Sequence, residues 1–311
     1  MIKNIIRLFL TYLSFYKRND FNLVKEDADI ITFIIDKLKK KKSNKNNLKN
    51  THQIFNRKMI NFLNKKKLKR FLKEGFIQQM FFVHNRFYIL NELLDLRKDP
   101  NWKFYKYLCL EDNIGDPVRY YLYPSSSGNR INHVYHLNIL SKETKIKLNK
   151  IKYVFEFGGG YGCMARIFSK INSKIKYKIF DMQSVSFLQY YYLKQIGLNV
   201  GFKNLNNICL INNLNKIKNV KFKKGSLFIA NWSLSESPIK FRKRFLNLIK
   251  KHEIILICFQ EYFENINNLK YFIDLKKELS NNYKLKILEN KYYKGNILKK
   301  QKHFFMIGKK L

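Results

Sequence analysis

The run Val154-Phe155-Glu156-Phe157-Gly158-Gly159-Gly160-Tyr161-Gly162 decides how this chain is read. Residues 152–157 form a short apolar stretch rich in Val, Phe and Tyr, and it meets glycines at once. That is the pattern of a strand buried on both faces of a parallel sheet. The glycines allow a tight turn and a close backbone approach to a ligand, because no Cβ stands in the way. Open parallel sheets bind ligands at the carboxyl ends of their strands. A helix starting near Gly162 would offer unbonded N–H groups to an anionic group. The run therefore reads as strand, ligand-binding turn and helix.

Downstream, the alternation continues. The patterns predict a helix over 163–171, a strand over 177–180 ending in Asp181, and a helix over 184–196. Further strands are expected at 208–211, 226–231 and 253–259, with helices at 238–251 and 268–280. Two last strands, 283–288 and 303–307, have no helix between them, only a loop containing Gly295, so they should pair as a hairpin. Strand–helix–strand alternation implies parallel pairing with helical crossovers. The expected fold is a doubly wound α/β sheet, mostly parallel, with an antiparallel strand at one edge.

Upstream, residues 1 to about 110 read as helical. Helical spacing of apolar residues recurs in 26–40 and 54–96, separated by the Lys/Asn run 39–50. Ile2, Ile5, Ile6, Phe9, Leu13 and Tyr16 fall on one helical face, but the apolar stretch is too short to span a bilayer. Gly115-Asp116-Pro117 breaks the pattern, and 124–129 is a loop by composition. The expected organisation is a helical cap over 1–114, a substrate-covering segment over 115–150 and a cofactor domain over 151–311.

The formal net charge of the 311-residue chain is +40, which points toward nucleic acid. Arg supplies only 11 of the 62 basic residues, and Lys the other 51. Lys, Asn, Ile, Tyr and Phe are abundant together, and all have AT-rich codons, so much of the charge is compositional. Arg is the residue suited to bidentate phosphate and guanine contacts, and it is scarce here. No specific nucleic-acid partner is expected, though weak attraction to anionic membrane lipids fits the charge. Cys109, Cys163, Cys209 and Cys258 are far apart and form no Cys-x-x-Cys pair. They read as reduced, buried thiols of a cytoplasmic protein, with neither metal site nor disulfide.

An acidic residue, one residue, then Gly-x-Gly-x-Gly resembles the first motif of class I S-adenosylmethionine-dependent methyltransferases. Here these are Glu156, Gly158, Gly160 and Gly162. The resemblance implies that the turn, Gly159 included, holds the methionine moiety and that Glu156 helps organise its amino group. It also implies that Asp181, 25 residues on, binds the ribose hydroxyls, with Met182 beside it. A carboxylate suits a diol because it accepts two hydrogen bonds at once. A rival register exists: Gly160-Tyr161-Gly162-Cys163-Met164-Ala165 satisfies the Gly-x-Gly-x-x-Ala dinucleotide fingerprint of NAD(P)-dependent oxidoreductases. It starts two residues later and leaves Glu156 and Gly158 without a role.

After the strand at 226–231 comes Asn231-Trp232-Ser233-Leu234-Ser235-Glu236. Amino-methylating nucleic-acid enzymes usually carry an Asn/Asp-Pro-Pro-aromatic motif there, and this chain does not. Together with the glycine turn, Phe180-Asp181-Met182 and Leu188-Gln189-Tyr190-Tyr191-Tyr192-Leu193, this segment resembles the sugar O-methyltransferase family over residues 110–260. The resemblance implies S-adenosyl-L-methionine as cofactor, with Asn231 near it, and a sugar or glycan hydroxyl as methyl acceptor. A sugar hydroxyl is a poor nucleophile while protonated, so a general base is expected. The candidates are Glu236, His133 and His136. Each has a plain structural alternative: a histidine can be a hydrogen-bonding group, and Glu236 can cap the helix near Pro238. An RNA-directed methyltransferase and a non-catalytic interaction module are the other readings kept open.

Overall fold

The computed structural model describes residue 9 and residues 27–39, 51–65, 68–81, 88–217, 224–293 and 301–311. The face drawn through Ile2, Ile5, Ile6, Leu13 and Tyr16, the Lys/Asn run after Lys39, and Gly295 lie outside these residues. Contacts divide the chain into two units. One comprises Met1–Val134, Gly160–Arg166 and Asp181–Gly201; the other comprises Tyr135–Gly159, Ile167–Phe180 and Phe202–Leu311.

The second unit carries the main sheet. Its strands are β1 (Tyr153–Phe157), β2 (Lys176–Phe180), β3 (Ile208–Ile211), β4 (Ser226–Asn231), β5 (Ile254–Gln260), β6 (Tyr283–Glu289) and β7 (His303–Lys310). Among the described residues the sheet has eight strands, and these seven lie in it in the order β6-β7-β5-β4-β1-β2-β3. β1 to β5 are mutually parallel, with Phe157 beside Phe180 and Glu156 beside Ile229. β7 runs antiparallel to both of its neighbours, β5 and β6. The expected hairpin is present, but the antiparallel strand lies inside the sheet rather than at its edge. The α/β, Rossmann-like, mostly parallel sheet is as the strand–helix alternation predicts.

Strand period explains the core. Phe155 and Phe157 point to one side of β1 and join Phe228, Phe245, Ile255, Ile257 and Phe272 in a buried cluster. Phe155 stacks on Phe228 with ring centroids 6.0 Å apart, and Phe157 meets Phe245 edge-on at 4.6 Å. Val154 and Glu156 point to the other side.

In the first unit, helix Ala28–Lys39 falls in the helical stretch expected over 26–40; helices Thr51–Asn64, Gly75–Phe81 and Tyr88–Lys98 divide the stretch expected over 54–96, and helix Trp102–Cys109 lies beyond it. A 3-10 segment, Leu68–Lys73, brings the buried Phe71 against Tyr161, Tyr191 and Tyr192. The buried Arg130 donates from Nη2 to Glu111 at 2.6 Å, Asp112 at 2.9 Å and Tyr192 at 2.9 Å. The segment 124–129 is not a loop: Tyr123–Ser127 pairs antiparallel with Arg119–Tyr120, and helix Gly128–Thr144 begins directly after it. The stretch 238–251 is not one helix but two, Ile239–Lys243 and Leu246–Ile249. All four cysteines are buried, and among the described residues none forms a disulfide. Among the described residues no helix is long and apolar enough to cross a membrane.

Candidate cofactor and active site

β1 ends at Phe157, and the turn begins with Gly158, whose N–H donates to the Phe180 carbonyl at 2.8 Å. Gly158, Gly160 and Gly162 have φ of 72°, 55° and 102°, the left-handed region where a side chain is strained. At Gly158 a Cβ would overlap the Cβ of Ser233. At Gly159 it would lie 2.6 Å from Ile179 Cγ2 and 2.9 Å from Glu156 Oε2. Part of the glycine pattern is therefore accounted for by the chain itself: the turn sits directly on its own neighbours.

Glu156 is 1% exposed, and the Tyr177 hydroxyl donates to its Oε2 at 2.8 Å. The strand register sets this pair. Glu156 stands beside Ile179, so Tyr177, two residues earlier on β2, shares its face.

Asp181 follows the last residue of β2. Its Oδ1 accepts the Met182 N–H at 2.8 Å, and its Oδ2 accepts from Gln189 Nε2 at 2.9 Å. The same Gln189 amide donates to the Gly160 carbonyl at 2.9 Å. Gln189 is fully buried on helix Gln183–Gln195. It was present in the run 188–193 that carries the family resemblance, yet helical periodicity gave no reason to single it out.

The segment after β4 is built by a separate set of bonds. Trp232 has φ of 60°, unusual for a bulky residue, and its indole N–H donates to His303 Nδ1 at 2.8 Å. The Ser233 hydroxyl donates to the Phe157 carbonyl, and that of Ser235 to Gln260 Oε1 at 2.7 Å. Buried Arg242 donates to the carbonyls of Ser237 at 2.7 Å and Ser235 at 2.5 Å, and to Asn268 Oδ1 at 2.8 Å. These bonds fix a loop that would otherwise be floppy. Asn231, the last residue of β4, has both side-chain polar atoms buried with no hydrogen-bond partner among the described residues. A buried amide without partners costs free energy, about 1–3 kcal/mol for each group left unpaired, and such groups cluster where a ligand supplies the missing bonds.

Glu236 is half-buried on this loop. Burial pushes its carboxyl up to about 7, opposed by a hydrogen bond with Gln260. A base at that value is half ionised at neutral pH. The structure thus places Asn231, Glu236 and Gly158 around the carboxyl ends of β1, β4 and β5. The two histidines part company. His136 is fully buried, packed on Trp232 and Phe305 with its Nδ1 3.6 Å from Cys258 Sγ. His133 is half-buried and donates from Nδ1 to the Asn129 carbonyl at 2.8 Å. Burial pushes it down to about 4, helped by the Arg130 guanidinium, so it is neutral at physiological pH. Among the described residues no group of three His, Cys, Asp or Glu is placed to hold a metal ion.

No family model matches the chain, and no curated protein matches it. Solved structures similar to it include TrmK of M. capricolum in complex with S-adenosyl-homocysteine, at 18% identity and a TM-score of 0.37, covering 56% of this chain and 67% of that one. A precorrin-6y C5,15-methyltransferase from Geobacter metallireducens matches at 10% identity and a TM-score of 0.35, covering 52% and 85%. An O-methyltransferase family protein from Burkholderia thailandensis matches at 10% identity and a TM-score of 0.34, covering 58% and 59%. At these scores the fold is read from the strand order and register alone.

Proposed function

We propose that the chain is an S-adenosylmethionine-dependent methyltransferase whose acceptor is a sugar hydroxyl. The observation that carries this is the buried, unpartnered Asn231 amide at the end of β4, beside a loop locked by Arg242 and Gln260. The strand order with an antiparallel strand inserted beside β5 agrees with the fold that the glycine motif implies.

The residues present fit the cofactor. The turn 158–162 lets the backbone approach its methionine end. Glu156 and Asp181 are carboxylates that accept more than one hydrogen bond each, suited to an amino group and to the ribose diol. Asn231 offers both a donor and an acceptor. When bound, S-adenosylmethionine supplies an electrophilic methyl group. Glu236 takes the proton of the acceptor hydroxyl, because its raised pKa makes it basic enough while still partly ionised near neutrality. Trp232 with Tyr293, both buried and with ring centroids 6.1 Å apart, backs this loop with an aromatic wall. His136, enclosed by Trp232 and Phe305, is suited to orienting that wall rather than to meeting an acceptor. His133 is the alternative base should Glu236 fail.

Calorimetry with S-adenosylhomocysteine tests the cofactor. Micromolar binding is expected, abolished by Gly160→Val, which forces a β-branched residue to a φ of 55°. Binding of NAD in its place would establish an oxidoreductase, and binding of neither an interaction module. Labelled S-adenosylmethionine offered with nucleotide sugars and cell-envelope glycans tests the acceptor: the label should become an acid-stable, O-linked methyl on a saccharide. Label on RNA or protein alone would refute the sugar reading.

A further inference from the structure

We infer that Gln189 is the positioning residue that sets the geometry of the ribose-binding carboxylate, and that it ties this carboxylate to the glycine turn as one rigid unit. The inference rests on the cofactor reading above. Gly160 O and Asp181 Oδ2 are both pure acceptors, so only the amide NH2 of Gln189 can serve them, one N–H to each at 2.9 Å. The orientation of the amide is thereby fixed by chemistry. The second carboxylate oxygen is held by the Met182 N–H at 2.8 Å. A donor on each oxygen fixes the carboxylate plane, which is what recognition of a diol requires.

The cost of this arrangement is visible. The Oε1 of Gln189 is buried without a partner among the described residues. An amide that serves only packing would orient to satisfy both ends; here one end is left unbonded so that the other can hold two acceptors. Gln189 is carried by helix Gln183–Gln195, which starts two residues after Asp181. The helix therefore spans the two halves of the expected cofactor cradle: its N-terminus leaves the ribose acid, and two turns later its side chain reaches the glycine turn.

The test compares binding of S-adenosylhomocysteine and its 2′-deoxyribose analogue by calorimetry. In the wild-type chain the intact ribose should be preferred by about tenfold or more, since a site built for a hydroxyl rejects the compound lacking it. In Gln189→Leu that preference should shrink toward unity, because Asp181 is no longer oriented, while the analogue's own affinity changes little. Equal weakening of both ligands, or an unchanged preference, would overturn the inference. Gln189→Glu keeps the shape and gives a second readout. It sets a carboxylate against Asp181 and the Gly160 carbonyl, so binding of S-adenosylhomocysteine should be poor at alkaline pH and recover as the pH falls and one carboxyl is protonated. If Gln189→Leu does not fold, a pH-independent affinity in Gln189→Glu overturns the proposal in its place. Absence of any S-adenosylhomocysteine binding by the wild-type chain would instead refute the cofactor reading itself.

Discussion

At the scale of single residues, Glu236 carries the sharpest expectation. Its carboxyl is pushed up to about 7 by burial, so the ionised, basic form accumulates only as pH rises through that value. If Glu236 is the base, turnover should rise through pH 7 and level off above it, and Glu236→Gln should remove that limb and reduce turnover about a hundredfold, with cofactor affinity little changed. Stability moves the other way. A carboxyl whose folded pKa is raised binds its proton more tightly when folded, so its contribution to stability is complete below the unfolded pKa of 4.5 and is lost as pH rises through about 7. Glu236→Gln should therefore raise the thermal midpoint at pH 8 and leave it nearly unchanged at pH 4. A variant of unchanged turnover would move the base to His133. The residue types at this site were legible in the sequence, since an acid after a strand end is visible as such. Which group is accessible was not: His133 and His136 lie three apart in the chain, and only packing encloses one of them.

At the scale of elements, the loop between β4 and β5 owes its shape to Arg242. This side chain is buried, donates to three acceptors and lies 4.8 Å from the Tyr271 ring. Replacing it with Met would leave two carbonyls and an amide oxygen without their donor. Loss of about 3 kcal/mol or more is expected, read as a lower denaturation midpoint. Turnover should fall with it, because the same loop follows Asn231 and carries Glu236. Binding of S-adenosylhomocysteine should fall less than turnover, since the glycine turn keeps its own supports. A variant with unchanged stability would show that the three bonds contribute nothing net. The sequence offered no sign of this network. Arg242 sits in a stretch with Lys240, Lys243 and Arg244 and reads as solvated charge. Helix Gly128–Thr144 was hidden for the opposite reason: it is buried around most of its circumference, so it lacks the apolar stripe that announces a surface helix.

At the scale of the whole molecule, the charge of +40 is the dominant property. If it is compositional, binding to random duplex or single-stranded RNA should be weak, and its logarithm should fall linearly with the logarithm of salt concentration. Filter binding between about 50 and 200 mM salt measures this, a range over which purely electrostatic binding weakens by orders of magnitude. Tight binding to one RNA that resists salt would make nucleic acid the partner and remove the sugar reading. The sequence by itself determined the alternation of strands and helices, the parallel β1 to β5, the hairpin of β6 and β7 and the place of the glycine turn. These follow from hydrophobic period and from backbone freedom, which are local properties. Tertiary structure alone decided that β7 lies between β5 and β6, that Ser233 fills the space over Gly158, and that Gln189 joins Asp181 to Gly160. Each of these depends on which distant residues share a face, and a side chain's partners across the fold leave no period in the chain.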